Sequence, residues 1–286
     1  MPITAPSISA VVLVYNRRAA LARTLEELVK LPLISRIIVV DNASTDDSAS
    51  GVTPRPDTTV LRLDSNIGVA AFERGVRSVD TPFVLILDDD AWPDAASLGH
   101  AHALLASDDS LAAVALSPVH PATNIREWKN LTGPCLNSPF MGCGNLIRIT
   151  DWHAAGGYEG RFFLYRNDTD LALAFAALGR GVAFNPNWIV WHDSPAVGCK
   201  SERWLHLATR NWAWMARRHA RSVWLVIGLV AAFAHALREA GFKRCRVRAT
   251  LRGIREGLFW PAPLLPANVP RTGEGFKRLV KAKLGM

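Results

Sequence analysis

The 286-residue chain is 49% apolar and 20% charged, which excludes a disordered protein and supplies enough hydrophobic mass for a sizeable core. Its formal charge of +8 is uneven: residues 238–286 hold 12 Lys/Arg against 3 Asp/Glu, and residues 1–237 hold 21 against 22. A near-neutral body with a basic tail excludes a generally basic active surface and directs the tail towards an anionic partner.

Ile8 to Tyr15 is an apolar, β-branched run of strand length. Asn16-Arg17-Arg18 follows, then a helical pattern with Leu21, Leu25, Leu28 and Val29 on one face, stopped by Pro32. Arg36–Val40 is a second strand and ends at Asp41-Asn42. Thr59–Leu63 is a third strand, Val69–Val79 a helix, and Phe83–Leu87 a fourth strand that runs into Asp88-Asp89-Asp90. Apolar strands alternating with helices predict a parallel sheet covered on both faces. Tyr15-Asn16, Asp41-Asn42, Asn66-Ile67-Gly68 and the aspartates all follow strand ends, the rim where such sheets gather ligands.

Three adjacent carboxylates repel one another and are best tolerated beside a cation. Oxygen donors suit Mg²⁺ or Mn²⁺, and alternate residues of an extended segment place Asp88 and Asp90 on one face. A solvated turn capping the next helix is the plainer alternative. Asp41 suits the imide N–H of a uracil or thymine, or else a turn, and Gly68 permits close approach of backbone to a ligand. Neither GxGxxG nor GxxxxGK[ST] occurs, so dinucleotide and P-loop chemistry have no support.

A helix near residues 94–106 and a strand near 111–116 precede an irregular stretch, 117–140, with four prolines, expected on the acceptor side. Gly142 and Asn145 lie in the small-residue turn and strand that follow, and Gly156-Gly157 forms a tight turn after a short helix. Tyr165, Asp168 and Asp170 open a helix that ends at Gly179, where a carboxylate is either functional or simply placed against the helix dipole. Val182–Trp191 is a strand interrupted at Asn185-Pro186 and ending on His192, a structural histidine or a third ligand beside Asp88 and Asp90.

The ordered series VVLVYNR, IIVVDNASTDDS, NIGVAAFERG, FVLILDDDAWPD, GGYEGRFFLYRNDTDL and IVWH resembles the family 2 glycosyltransferases of the GT-A fold over residues 8–192. The GGYEGRFFLYRNDTDL block, the strand ending in His192 and the later Arg210-Asn211 are similar to the rhamnosyl- and galactofuranosyltransferase branch. The resemblance implies an α/β GT-A catalytic domain at 1–199, with a nucleotide-sugar half at 1–116 and an acceptor half at 117–199. A helical, basic appendage at 200–286 is expected to follow it. It also implies inverting transfer from a UDP- or dTDP-sugar to a glycan or lipid-linked hydroxyl in cell-surface polysaccharide synthesis, dependent on Mn²⁺ or Mg²⁺. Tyr15, Asn16, Asp41, Asn42, Asn66, Gly68, Arg74, Asp88 and Asp89 become donor contacts, Asp88, Asp90 and His192 the metal face, and Asp168 the general base. Gly142, Asn145, Tyr165 and Asp170 fall on the acceptor side. Asn167 stands where the family usually has an acid, and Arg74 where it usually has Asn. A nucleotidyltransferase, or a catalytically silent lipid- or partner-binding module on the same fold, is the competing reading.

Residues 201–219 form a Trp-rich helical pattern, and 222–237 contain no charged residue. Sixteen apolar residues fall short of the roughly 20 needed to span a bilayer, so an interfacial or buried helix is expected. The basic cluster beyond it then contacts anionic lipid, or packs as a solvated helix. Its aromatics precede the cations instead of interleaving with them, so nucleic acid is not the expected partner. Cys135, Cys143, Cys199 and Cys245 form no CxxC, and the N-terminus lacks a basic leader. Ordinary thiols in a cytoplasmic protein at the inner membrane face are expected.

Overall fold

The computed structural model describes residues 8–127, 133, 135–136, 143–194 and 200–284. The elements of its first half are β1 (Ile8–Val14), α1 (Arg18–Leu28), β2 (Ile34–Asp41), β3 (Thr58–Arg62), α2 (Ala70–Val76), β4 (Phe83–Asp88), β5 (Ala91–Pro93), α3 (Ala95–Ser107) and β6 (Leu111–Val119). They are followed by β7 (Cys135–Leu136), β8 (Asn145–Arg148), α4 (Ile149–Ala155), a 3₁₀ turn (Gly160–Phe162), α5 (Asn167–Ala177) and β9 (Gly181–His192). The strands form one sheet in the order β3-β2-β1-β4-β8-β6-β9-β5, with β7 beside β9.

Period-two alternation divides the strand residues between two cores. Ile8, Ala10, Val12 and Val14 of β1 pack with Leu85 and Leu87 under α1 and α3, through Leu21, Leu28, Leu98 and Leu105. Val11, Ile38, Val40, Val84 and Ile86 face the other way, against Phe72 of α2, Trp152 of α4 and Phe175 of α5. Each such fully buried aliphatic side chain contributes about 1.5–3 kcal/mol. Continuous apolar runs such as Phe83–Leu87 are required because both faces of the sheet are covered.

The sheet is mixed where sequence alternation alone predicted a parallel one. β8 runs antiparallel to both β4 and β6, and β5 antiparallel to β9. The three-residue β5 is too short to carry a periodic signal, yet it pairs Ala91 with His192. Asn185-Pro186 does not break β9; the strand bulges there, pairing Phe184 with Ala115 and Ile189 with Ser117.

The C-terminal part comprises α6 (Glu202–His219), α7 (Val223–Ala240), α8 (Arg244–Phe259) and α9 (Glu274–Leu284). Ser201 caps α6 by accepting from the Trp204 amide at 3.1 Å. Phe276 and Val280 of α9 join Trp212, Trp214, Phe162 and Leu173 in a third core, which ties these helices to the sheet domain. α8 lies directly on α6: a Cβ at Gly253 would stand 2.4 Å from the His206 carbonyl oxygen.

Candidate active site

The acids of β4 meet β9 at the carboxyl rim. His192 Nε2 lies 3.3 Å from Asp90 Oδ1, and its Nδ1 contacts Glu127. The Asp193 amide donates to the Asp90 carbonyl at 2.9 Å and locks the two strand ends together. Asp89 points the other way. Its carboxylate is 3.1 Å from Arg17 Nη1, and its carbonyl accepts from Thr24 Oγ1 at 2.8 Å. The same Arg17 nitrogen is 2.8 Å from Asp90 Oδ2. One guanidinium and one imidazole therefore face four carboxylates.

This cation deficit sets the electrostatics. Burial, then the Asp90 charge, pushes Asp88 up to about 6 in spite of His192 and Arg17. Burial likewise takes Asp89 to about 8, against the pull of Arg17. Asp90 is held below the ordinary carboxylate value, because His192 and Arg17 outweigh its burial. Burial opposes the charge on His192, yet Cys143, Asp90 and Glu127 raise the imidazole above its usual range. The Cys143 thiol is pushed up to about 11 by burial.

These residues fit a divalent ion. Asp90 Oδ1 is buried without a hydrogen-bond partner, and the ligand atoms of Asp88, Cys143 and His192 all lie within 4.8 Å of one another. Carboxylate and imidazole ligands gathered where negative charge exceeds positive are what such an ion neutralises.

Asp168 enters from the start of α5. Burial and the Asp88 charge raise it to about 7, and Asn167 Nδ2 donates to its Oδ1 at 3.0 Å. The phenol of Tyr158 stands beside it without a well-formed hydrogen bond; burial and Asp168 raise that phenol well above its ordinary value, with Asn145 acting against them. Asp170, two residues on, serves a different purpose. Its Oδ1 is 2.9 Å from His219 Nε2 and 3.1 Å from Arg218 Nε, so it anchors α5 to α6.

The loop before Asp168 is shaped by α6. Buried Asn211 donates to the carbonyls of Phe162, Leu164 and Tyr165 at 2.7–2.9 Å, and Arg210 donates to Phe162 at 3.0 Å. These bonds hold Phe163, Tyr165 and Arg166 at positive φ, a conformation that L-residues resist.

At the end of β2, Asp41 is fully buried; its Oδ1 accepts from the Ser44 amide, and its Oδ2 lies 3.6 Å from Arg62 Nε. Asn42 binds Asn66, the Gly68 carbonyl and the Ile67 amide, and Asn16 accepts from Thr45, so these asparagines stitch the rim loops. Gly68, at φ +62°, gives room to chain instead of ligand: a Cβ there would lie 2.1 Å from the Phe163 carbonyl oxygen. Tyr15 and Arg74 are exposed. Gly142 lies outside the described residues.

Sequence reasoning missed Arg17, Glu127, Cys143 and Tyr158. Arg17 and Tyr158 sat inside recognised motifs, one step from the residues singled out. Glu127 lies in an irregular stretch without a signal, and Cys143, read as an ordinary thiol, reaches the ligand group only through the fold.

A model of the Glycosyl transferase family 2 matches residues 9–183. Comparison with curated protein sequences gave no significant match. Among solved structures, the chain is similar to the mannosyltransferase PcManGT from Pyrobaculum calidifontis in complex with GDP-Man and Mn²⁺, at 19% identity and TM-score 0.64, covering 90% of this chain and 88% of that one. It is also similar to TarS 1–349 of S. aureus, at 14% identity and TM-score 0.63 over 97% and 84% of the two chains. GalNAc-T7, solved with UDP, GalNAc and Mn²⁺, aligns at 14% identity and TM-score 0.61 over 87% of this chain and 54% of that one. The structural likeness fixes the GT-A fold, and the family match spans well over half of the sequence, so the chain belongs to glycosyl transferase family 2.

Proposed function

We propose that this chain is an inverting, metal-dependent glycosyltransferase that moves a sugar from a UDP- or dTDP-sugar to a hydroxyl of a glycan or lipid-linked acceptor. The observation that carries the reading is the gathering of Asp88, Asp90 and His192 at one rim of the sheet, with Asp168 at the start of α5 raised to about 7 by burial and then by the Asp88 charge. A base is most effective when its pKa lies near the working pH.

Asp88, Asp90 and His192 would hold Mn²⁺ or Mg²⁺, which supplies neutralisation of the charge that develops on the leaving diphosphate. Arg17, paired with Asp89 and Asp90, adds a fixed positive charge on that side. Asp168 takes the proton of the acceptor hydroxyl while its oxygen bonds to the anomeric carbon. The bond from that carbon to the diphosphate oxygen breaks, and its electron pair leaves with the nucleotide. Asn167 holds the carboxylate in position, and Asp170, tied to Arg218 and His219, stabilises the helix that bears it. Asp41, whose Oδ2 is paired with Arg62 at 3.6 Å, would accept from the imide N–H of uracil or thymine.

Support for work at the inner membrane face comes from the C-terminal helices. Among the described residues, α7 is the one helix long and apolar enough, by length and composition, to cross a membrane. Eighteen residues span about 27 Å, short of a bilayer core of roughly 30 Å, and Trp212 donates to the Gly228 carbonyl, which holds one face of α7 against the protein. Val223, Val226, Val230 and Leu237 remain exposed, as do Phe242, Phe259 and Trp260 beside the arginines of α8. An apolar surface edged with arginine is suited to anionic lipid headgroups.

The test is a panel of UDP-, dTDP- and GDP-sugars assayed for turnover with Mn²⁺ or Mg²⁺. Asp90→Ala is expected to lose metal-dependent turnover by about 10²–10³-fold, the scale of a deleted electrostatic stabiliser. No turnover of any donor by the wild-type chain would remove the proposal. Vesicle sedimentation checks the membrane role: Val226→Asp with Phe242→Asp should release the protein from anionic vesicles, and unchanged sedimentation rejects that role.

A further inference from the structure

A cavity of about 500 Å³ lies between α6, α7 and α9, apart from the acidic rim. Arg166, Arg238 and Lys283 line it, together with Trp204 and Trp212, and among the described residues no Asp or Glu does. The guanidinium of Arg166 lies 5.6 Å from the Trp204 ring centroid and 5.4 Å from that of Trp212, and Lys283 Nζ lies 5.1 Å from Trp212. Indole faces hold cations in place without neutralising them. Two polar atoms on the wall, Arg166 Nε and Thr209 Oγ1, are buried with no hydrogen-bond partner.

Buried donors without partners, such as Arg166 Nε and Thr209 Oγ1, are costly unless something answers them, and the exposed Arg238 and Lys283 add positive charge beside them. Desolvation, together with the Arg166 charge, lowers Lys283 to about 8, and burial depresses Arg166 in spite of Asp168. An anion would relieve both. Arg166 ties the cavity to the base, since it lines the wall, immediately precedes the helix α5 that carries Asp168, and its charge is felt there. On its other side the alanines of α7 form the wall, and that helix exposes Val226, Val230 and Leu237 on its outer surface.

We propose that this cavity is the acceptor subsite for a phosphate ester carried on an apolar chain. The phosphate is held by Arg166, Arg238, Lys283 and Thr209, the chain runs along α7, and the acceptor hydroxyl is presented to Asp168. The inference rests on the glycosyltransferase reading and narrows its acceptor to an anionic amphiphile. A phosphate supplies acceptors for the unpaired donors, and the chain supplies the apolar surface that α7 leaves uncovered.

The test uses the full chain without divalent ion and three probes: decyl phosphate below its micelle concentration, decyl β-glucoside as the uncharged amphiphile, and inorganic pyrophosphate as the chainless anion. Decyl phosphate is expected to bind most tightly by calorimetry. Lys283→Met should weaken it about tenfold or more, as loss of a charged hydrogen bond entails, and Lys283→Arg should restore it. Arg238→Gln, at an exposed position, repeats the test where folding is not at stake. Lys30→Met, on α1, controls for net charge and should leave binding unchanged.

Equal binding of the glucoside, or no loss in Lys283→Met and Arg238→Gln, overturns the phosphate assignment. Pyrophosphate binding as tightly as decyl phosphate overturns the amphiphile. Wild-type donor turnover is measured separately: its absence alongside intact decyl phosphate binding strikes the transferase reading and leaves the cavity an anion site.

Discussion

The rim and the cavity are electrical opposites. At the rim Asp88, Asp89, Asp90 and Glu127 share Arg17 and His192, and in the cavity Arg166, Arg238 and Lys283 share no carboxylate on the wall among the described residues. Each is incomplete alone, one lacking a cation and the other an anion. Asp168 lies between them, its charge coupled to Asp88 on one side and Arg166 on the other. On the proposed reading, the difference would separate the two partners of a transfer reaction by charge, with a metal-bound donor at the strand ends and an anionic acceptor at the helices. The sharpest way to break this picture is Asp168→Asn. It should keep metal-dependent donor binding and lose about 10²–10⁴-fold in transfer, the usual contribution of a general base. Transfer at the wild-type rate would move the base elsewhere.

Asp170→Asn separates the two aspartates of α5. Removing the carboxylate deprives Arg218 Nε and His219 of their shared partner, while Arg218 keeps Glu159 through Nη1, a loss of about 1–3 kcal/mol in stability. Thermal unfolding should register it, while the rate per folded molecule at low temperature stays near wild type. A rate loss as deep as that of Asp168→Asn, with unfolding unchanged, would reverse the assignments.

Much of the rim was legible in the sequence because its residues end apolar runs. Asp41, Asp88 and His192 each close a strand whose hydrophobicity announces it, and sheets of this kind place such ends together. The cavity was not legible. Arg166 and Lys283 are 117 positions apart, and only the packing of α9 through Phe276 brings them together. Asp170 was misleading for a related reason: a carboxylate in the first turn of a helix has the same sequence signature whether it faces a substrate or His219. The basic C-terminal residues read as one cluster, yet Glu256 of α8 is buried against His206 and Arg252, so part of that charge is internal.

Asn211 sharpens the comparison because it supports both regions. Its side chain holds three carbonyls of the loop that carries Arg166 to the cavity and leads to Asp168. Asn211→Ala leaves buried acceptors unpaired, at about 1–3 kcal/mol for each group left unsatisfied. The expected result is lower thermal stability together with weaker decyl phosphate binding. A stability loss with unaltered binding would show that the loop keeps its shape without the clamp.

The smallest effect tests the rim alone, through the pH dependence of unfolding with and without Mn²⁺. Asp88, Asp168 and Asp89 stand at about 6, 7 and 8, all above the roughly 3.9 of an unfolded aspartate. Below pH ~4 both states hold these protons, and the folded chain keeps the full benefit. As pH rises the unfolded chain releases protons that the folded one retains, so metal-free stability falls progressively up to pH ~8. Mn²⁺ favours the ionised acids and competes with the proton on His192, so its binding strengthens over the same interval. The Mn²⁺-induced rise in Tm should therefore be larger at pH 8 than at pH 5.5, and should shrink in Asp90→Ala. An equal rise at both pH values would place the ion away from these carboxylates.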